Sequence, residues 1–395
     1  MALDFQQVRE QVRQLGENAP QREQRLKELR DQAHELLQQN AHDLDRLRAK
    51  VQRVVQQHDP SLRCALPVQE PLTAHFALPA LPERATILAA DGSQIGLDRH
   101  AETDYCLINV GAIQMRLASP EPPKPTVSCR LLYDEQLYTP SGTITDATLA
   151  LMRDLNERTI LARLAAQAEP PVVTFTDGPM ELWGGKDGDG EASEFQKSLQ
   201  EYLGVLAQLC DLQAATAGYV DKPGANLVVR LLEVGLVPEA ELAEIRRRRP
   251  LRGVTDADLY RELLGSGERS PVYALQSQSA RNYTQALALH FFYLNVGRPG
   301  KPWLARVEVP AWVVDSREML DGLHAVLVSQ CRTMGSRPYP YLLHRAHETA
   351  VVSLQEKEQV TQMIALELRR RGVQIGEVSQ KQAMKQTAGR TSYKG

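Results

Sequence analysis

Two aspartates, each followed by glycine, end two apolar stretches of the sequence. Asp91 follows the apolar residues 85–90, and Asp177 follows the apolar residues 171–176. Because the carboxyl ends of strands border the ligand crevice of an open α/β sheet, both carboxylates are expected at one site. Each Asp-Gly pair taken alone is more typical of a turn. Two acids in matched strand contexts favour a bound cation, which would offset the cost of burying their charge.

A third acid, Glu157, lies in a predicted helix over residues 145–167. It shares one face of that helix with Leu161 and therefore borders the apolar stripe. The alternative is a surface glutamate paired with Arg153 or Arg158. Three converging carboxylates supply the oxygen ligands that Mg²⁺ and Mn²⁺ prefer. Such a cluster suits metal-assisted hydrolysis of a phosphodiester, in which the ion activates water and stabilises the leaving oxygen.

One histidine is a candidate for a fourth ligand. His347 lies in a predicted helix over residues 342–371. A neutral imidazole binds Mn²⁺ and titrates near neutral pH, so it suits either a ligand or an acid–base group. A lone helix histidine is more often structural, however, and His344, three residues earlier, competes for the same role.

The elements that must position these side chains follow from the apolar spacing. Residues 1–60 contain apolar residues at 3–4–3 spacing, which predicts two helices separated by Gly16 and Pro20. Apolar stripes of this length pack against another helix. That helix belongs either to the same chain, giving a helical hairpin, or to a second subunit or partner, giving a coiled coil. The proline-rich residues 61–84 indicate a linker.

A mixed α/β domain is predicted over residues 85–378, with a mostly helical insertion over residues 221–270 and a polar, basic tail over residues 379–395. Further strands are predicted over residues 104–117, 126–133, 287–296 and 303–309, and further helices over residues 194–212 and 317–333. The sequence contains neither a GxxxxGK[ST] motif nor a strand-linked GxGxxG motif. Their absence argues against a P-loop and against a dinucleotide-binding domain.

The composition excludes several classes of protein. Of 395 residues, 43% are hydrophobic and 24% charged, which is typical of a globular chain rather than a disordered one. No apolar run is long enough to span a membrane, and residues 1–10 lack the pattern of a signal peptide. Five scattered cysteines without a CxxC pair favour a reducing cytoplasm. The net charge of −3 is uninformative about nucleic acid, since a sum hides local asymmetry.

The order of these motifs resembles the NurA nuclease family. The segment ILAADGS contains Asp91, Glu157 follows on a helix, and VVTFTDGP contains Asp177 about twenty residues later. The segment YPYLLHRAHETA, which contains Tyr339 and His347, matches the closing Tyr-Pro and Ala-His pattern of the family. The shorter segments GYVDKP, GERS and RVEVP also resemble family blocks. The resemblance runs from about residue 85 to the C-terminus and leaves out the N-terminal helices.

This resemblance implies an RNase H-like α/β fold, with a mixed sheet flanked by helices, and a homodimer. It also implies a 5′-to-3′ exonuclease and single-strand endonuclease, dependent on Mn²⁺ or Mg²⁺, that acts in DNA end resection and recombinational repair. The implied partner is a HerA-type hexameric ATP-driven translocase. The family pattern assigns the metal ligands to Asp91, Glu157, Asp177 and His347. It also places a tyrosine beside the metal, which is Tyr339 unless Tyr341, on the other side of Pro340, takes that role.

Three basic residues are candidates for contacts with DNA phosphates. Lys222 follows a strand-like stretch within GYVDKP, and Arg281 and Arg306 are weaker candidates. Aromatic residues make up only 5% of the chain, too few for extended base-stacking surfaces. We therefore expect sequence-independent binding of single strands and duplex ends through their phosphates.

Two other functions compete with a nuclease. An aspartyl-nucleophile phosphatase also begins with a strand and an aspartate, but it needs an acid two residues later, where this chain has Ser93. The other alternative is a catalytically weak scaffold or dimerisation subunit of a DNA-processing complex, assembled through the N-terminal helices. The intact set of carboxylates argues against that alternative.

Overall fold

The structure is a computed structural model that describes residues 4–98, 103–139, 142–182 and 189–373. The predicted tail over residues 379–395 lies outside the described residues. The helices are α1 (Phe5–Gln39), α2 (Leu44–Gln57), α3 (Asp146–Ala165), α4 (Asp189–Asp211), α5 (Leu227–Leu236), α6 (Asp256–Arg261), α7 (Ala311–Val314), α8 (Arg317–Thr333), α9 (Tyr341–Ala350) and α10 (Leu354–Arg370). The strands are β1 (Cys64–Pro67), β2 (Thr86–Ile95), β3 (Cys106–Arg116), β4 (Lys124–Leu132), β5 (Tyr138–Thr139), β6 (Gly142–Thr143), β7 (Val172–Asp177), β8 (Ala215–Asp221), β9 (Tyr273–Gln276), β10 (Leu289–Asn295) and β11 (Leu304–Pro310).

The N-terminal extension is helical, but its break lies elsewhere than predicted. Helix α1 runs straight through Gly16 and Pro20, so the expected break at these two residues is wrong. Pro20 leaves only the carbonyl of Gly16 without its helical partner, and that part of α1 is exposed to water. The helix ends instead at Asn40, whose side-chain amide donates to the carbonyl of Leu36 at 2.7 Å.

The chain divides into two compact units. The first unit comprises Met1–Ala80, Gly178–Met180 and Gly218–Pro338, and the second comprises Leu81–Asp177, Glu181–Ala217 and Tyr339–Gly395. In the first unit, antiparallel strands follow the order β1-β9-β10-β11-β8. Helix α5 is buried on all sides and packs against α1, α2 and β1, as expected of an apolar helix in a core.

In the second unit, the strands follow the order β7-β2-β3-β4. Strands β2, β3 and β4 form an antiparallel meander, and β7 runs parallel to β2. Helix α3 packs against β2, β3 and β7, and α9 packs against β2 and β3. The expected mixed sheet flanked by helices is confirmed.

Two predicted boundaries near the candidate site are wrong. The strand expected to end at Ala90 continues to Ile95, because β3 pairs with it along its whole length. The single helix expected over residues 342–371 is two helices, α9 and α10. Ser353 begins α10 with a capping box: its hydroxyl accepts from the N–H of Glu356, and the Glu356 carboxylate accepts from its N–H.

Short strands also appear where none was predicted. Cys64–Pro67, within the proline-rich stretch expected to be a linker, is the edge strand β1, and it pairs with β9. Four residues with a proline at the end give too weak a periodic signal to identify a strand, and prolines are tolerated at sheet edges.

The five cysteines are free thiols, and three of them are buried. Burial raises the pKa of Cys64 and of Cys331 to about 12, so neither forms a thiolate near neutral pH. Within the described ranges, no helix combines the length and the apolar character needed to cross a membrane.

The carboxylate of Asp256, at the start of α6, is fully buried and connects α6 to α5 and to β10. It accepts hydrogen bonds from the N–H groups of Val228 and Val229, in the first turn of α5, at 3.0 and 2.8 Å. It also accepts from the hydroxyl of Tyr293 at 2.6 Å. Burial raises the pKa of Asp256 from 3.8 to about 6.

We predict that Asp256→Asn lowers the free energy of unfolding by about 1–3 kcal/mol, because one amide oxygen replaces two carboxylate oxygens as acceptors. In the parent, the carboxyl group of Asp256 binds a proton more tightly in the folded state than in the unfolded state. The free energy of unfolding of the parent therefore falls as the pH rises from 3.8 to about 6. The deficit of the variant should therefore shrink over that window, as measured by urea unfolding. Asp45→Asn, at a side chain 96% exposed, is the control and should change little. A deficit that is constant with pH would contradict this assignment.

Candidate active site

Asp91 lies at the point where β2 parts from β7. The parallel register of these two strands ends at Ala90 and Thr176, whereas β2 continues beside β3 to Ile95. The side chain of Asp91 is only 16% exposed. One carboxylate oxygen, Oδ1, accepts from the N–H of Gly92 at 2.9 Å. The second oxygen is therefore left to contact other groups.

Asp177 ends β7 at the same level of the sheet. It follows Thr176 as Asp91 follows Ala90, and neighbouring residues of a parallel pair point to the same face. Asp177 is exposed, whereas the five residues before it in β7 are all buried. The structure thus brings the two aspartates to adjacent strands, although Asp91 is within a strand rather than at its tip.

Glu157 lies on α3, where the helix packs directly on β2. A Cβ atom added to Gly92 would lie 2.8 Å from Oε1 of Glu157 and 2.6 Å from Cγ of Arg153, so a larger residue here would displace these two side chains. Glu157 is 5% exposed and is therefore not the surface glutamate of the alternative interpretation. Burial, and then the charges of Asp154 and Asp91, raise its pKa well above the ordinary value.

Two further charged residues, which the sequence did not identify as site residues, surround Glu157. The guanidinium of Arg153 lies 2.8 Å from the carboxylate of Asp154 and 3.5 Å from that of Glu157. Burial raises the pKa of Asp154 as well, against the opposing effect of Arg153. Asp154 could have been identified from its position three residues before Glu157 on the same helix, because residues at this spacing are neighbours on a helix surface.

Helix α9 packs on the opposite face of the same strands. Asp91 pairs with Gly111 of β3, and a Cβ atom added to Gly111 would lie 2.7 Å from the backbone oxygen of Ala346. The end of the helix is anchored as well. The carbonyl of Ala350 accepts from the hydroxyl of Ser93 at 2.5 Å and from the amide of Asn109 at 2.8 Å.

This packing brings His347 to Asp91. Nδ1 of His347 lies 2.7 Å from Oδ2 of Asp91, and the imidazole is 61% exposed. An ionised carboxylate only accepts hydrogen bonds, so Nδ1 carries the proton. In the neutral imidazole, Nε2 then has a lone pair available for a metal ion or a proton.

The competing residues have other surroundings. His344 lies 3.4 Å from Glu348 on the exposed side of α9. Tyr339 is half-buried and precedes α9, whereas Tyr341 is its first residue. The geometry therefore favours His347 over His344 as the partner of Asp91, and the choice between the two tyrosines stays open.

Strand β2 separates the predicted ligands into two groups. Asp91 and His347 lie on the α9 face, whereas Glu157 and Asp154 lie with α3 on the other face. Over the described residues, no three acid, histidine or cysteine side chains are preassembled around one point. The donors nevertheless fit a hard divalent cation, because they are carboxylates and an imidazole. Burial raises the pKa of Glu157, and the charges of Asp154 and Asp91 raise it further, against the opposing effect of Arg153.

The three candidates for DNA contacts lie in the first unit. Lys222 is exposed, adopts a left-handed φ of 43°, and its ammonium lies 4.3 Å from the centre of the Trp303 ring. Arg281 is exposed and donates to the carbonyl of Pro60 at 3.1 Å. Arg306, by contrast, is 8% exposed and its guanidinium lies 2.8 Å from Glu308. A phosphate would have to break this buried pair, so Arg306 is removed from the set.

Comparisons with known proteins point to one family. A family model described as the NurA domain matches residues 85–352, more than half of the chain. No curated protein sequence matches the chain. Among solved structures, the NurA nuclease from Sulfolobus solfataricus aligns over 75% of this chain and 87% of its own, at 10% identity and a TM-score of 0.48. The catalytic domain of human Endonuclease V aligns over 71% and 84%, at 15% identity and a TM-score of 0.32.

We predict that Gly111→Ala destabilises the second unit by about 1–3 kcal/mol, because the added methyl group meets backbone atoms of α9 that cannot rotate away. The helix must shift, and His347 should separate from Asp91. The imidazole resonances in NMR spectra and thermal unfolding measure the two effects. Gly204→Ala in α4, where nothing lies within 4 Å, is the matched control and should be neutral or stabilising. Equal behaviour of the two variants would contradict the proposed close packing.

Proposed function

The chain belongs to the NurA domain family, and on that premise we propose that it is a metal-dependent nuclease that hydrolyses phosphodiester bonds of DNA. The observation that carries the proposal is the contact between His347 and Asp91, with the buried Glu157 beside the same strand. All three residues lie within the residues matched by the family model. A histidine paired with a strand aspartate beside a buried acid supplies metal ligands and a group that exchanges protons.

The residues that we propose as metal ligands, on the family pattern, are Asp91, Glu157, Asp177 and His347. Glu157 lies on the other face of β2 and would have to approach the other three when the metal binds. When bound, the metal would activate water and stabilise the charge on the leaving oxygen. Asp91 orients the imidazole of His347 by accepting a hydrogen bond from its Nδ1–H, so that Nε2 is the nitrogen available at the site. We assign Tyr339 to the same site on the family pattern alone, and Tyr341 is the alternative.

Glu157 connects metal binding to pH. Its raised pKa means that it holds a proton to higher pH than an ordinary glutamate, and a metal ion binds only the ionised form. Metal binding at this site would therefore release a proton, and affinity for the metal would increase as pH rises. Mn²⁺ is the proposed ion, with Mg²⁺ as the alternative, since both prefer oxygen ligands.

Lys222 is the best supported of the phosphate contacts. The left-handed backbone conformation is costly for a lysine and is found mostly where the surrounding structure requires it, often at functional sites. The ammonium group lies over the Trp303 ring, and the indole N–H of Trp303 donates to Asp221 at 2.7 Å. Arg281 is a second, weaker candidate. Contacts of this kind bind DNA without reading its sequence.

The finer assignments rest on the family resemblance. They are a 5′-to-3′ exonuclease and single-strand endonuclease, a role in end resection and recombinational repair, a homodimer, a HerA-type translocase as partner, and a cytoplasmic location.

One observation keeps the alternative of a scaffold subunit in view. The first half of α1 exposes an apolar stripe of Phe5, Val8, Val12 and Leu15, with side chains 39–68% exposed. Such a stripe suits a coiled coil with a second helix. A protein that assembles through α1 but cleaves no DNA in Mn²⁺ would favour the scaffold.

We predict that Asp91→Asn reduces cleavage of end-labelled DNA in Mn²⁺ about a hundredfold or more, because it removes a charged ligand of the metal. A chelator should abolish cleavage by the parent, and excess Mn²⁺ should restore it. Asp104→Asn, at an exposed residue of the same unit, is the control and should cleave as the parent does. Circular dichroism verifies that both variants are folded. Cleavage by Asp91→Asn at the parental rate would exclude Asp91 from the metal site.

For DNA binding, we expect Lys222→Gln to weaken affinity for single strands of any sequence by a similar factor. It should also reduce the slope of log affinity against log salt concentration by about 1, since one phosphate contact is lost. Fluorescence anisotropy at several salt concentrations measures both. Lys301→Gln, at another exposed lysine of the first unit, is the matched control. An unchanged slope for Lys222→Gln would remove this residue from the DNA-binding surface.

A further inference from the structure

We propose that Arg153 is a built-in counter-ion of the acidic site, which neutralises Asp154 and Glu157 in the metal-free protein and is displaced when the divalent metal binds. This inference rests on the proposed metal-dependent function. It assigns Arg153 a positioning role that sets the affinity for metal, and it adds Asp154 to the acids of the site.

The first argument is the placement of Arg153. Its stem lies across the backbone of β2, in the space that a side chain at Gly92 would occupy. From there Nε and Nη2 both contact Oδ1 of Asp154, at 3.1 and 2.8 Å, and Nε lies 3.5 Å from Glu157. The guanidinium thus occupies the position beside these two acids where a bound cation would be held electrostatically.

The second argument is the balance of charge. The guanidinium of Arg153 contacts two acids, Asp154 at 2.8 Å and Glu157 at 3.5 Å. A guanidinium carries a single positive charge, which does not balance the charges of both acids. A divalent ion would carry twice the charge of the guanidinium and would therefore compete with it favourably.

The third argument is that Arg153 is able to leave, whereas the neighbouring arginine is not. The side chain of Arg153 is 32% exposed, so the guanidinium has a path to water. Arg158 is 1% exposed, and its Nη1 donates to the carbonyl of Ala217 at 2.9 Å. A buried arginine held in this way stays in place, because removing it would leave a buried carbonyl without its donor. Arg153 is therefore the exchangeable cation of the pair.

This arrangement would have two consequences for the protein. Without metal, Arg153 reduces repulsion between the acids and so stabilises the second unit. With metal, the same contacts must first be broken, which lowers the affinity and restricts binding to ions with enough charge to displace the guanidinium. A purely structural arginine would have the first consequence but not the second.

The test is the affinity for Mn²⁺, measured by titration calorimetry, together with the melting temperature of the metal-free protein. Arg153→Gln keeps most of the stem and removes the charge. We expect the variant to melt a few degrees below the parent without metal and to bind Mn²⁺ about three- to tenfold more tightly, the effect of losing one partly exposed ionic contact. Arg163→Gln, at an exposed arginine on the same helix, is the matched control and should change neither quantity.

A second variant keeps the test decisive if Arg153→Gln does not fold. Arg153→Lys retains the charge but loses the two-point contact with Asp154, so it should bind Mn²⁺ more tightly than the parent by a smaller factor. Unchanged or weaker binding of Mn²⁺ by these variants, when the parent binds it, would overturn this inference alone. A folded parent that binds no Mn²⁺ would overturn the metal-dependent function and the inference with it.

Discussion

The concentration of buried negative charge beside β2 is the constraint on which the rest of the site depends. Glu157 is 5% exposed and is near both Asp154 and Asp91, so its carboxyl is held in a place where ionisation is costly. Three ways exist to relieve that cost: a proton on Glu157, the guanidinium of Arg153, and a divalent metal ion. Any one of the three reduces the need for the other two. The pH, the binding of metal and the stability of this part of the protein are therefore coupled.

Two glycines make this constraint possible, one on each of the neighbouring strands β2 and β3. Gly92 allows α3 to bring Glu157 and Arg153 onto one face, and Gly111 allows α9 to approach the other. Because side chains alternate along a strand, the two glycines open opposite faces of the sheet. Asp91, which pairs with Gly111 and precedes Gly92, is the residue common to both approaches. A larger residue at Gly111 would meet the backbone of α9, whereas one at Gly92 would displace the side chains of Arg153 and Glu157.

Much of the fold near the site was predictable because its signals are local. The apolar spacing of α3, the apolar strand before Asp177 and the helix over residues 317–333 agree with the structure to within a few residues. The continuation of α1 through Pro20 was not predictable from local signals, because the helix tolerates this proline only where it is exposed to solvent. The end of β2 was misplaced for a related reason: its pairing with β3 outweighs the turn preference of Asp-Gly.

The sequence by itself determined the types of the reacting groups and the elements that carry them, since apolar periodicity and residue chemistry are properties of short segments. Only the tertiary structure decided which groups meet. His347 contacts Asp91 across 256 residues of sequence, and the packing of α9 on Gly111 brings His347 rather than His344 to that carboxylate. The same applies to Arg306, whose buried pairing with Glu308 no spacing reveals, and to Arg153, whose role depends on the closeness of α3 to Gly92. Contacts of this kind arise from packing between distant segments, and no local sequence pattern predicts them.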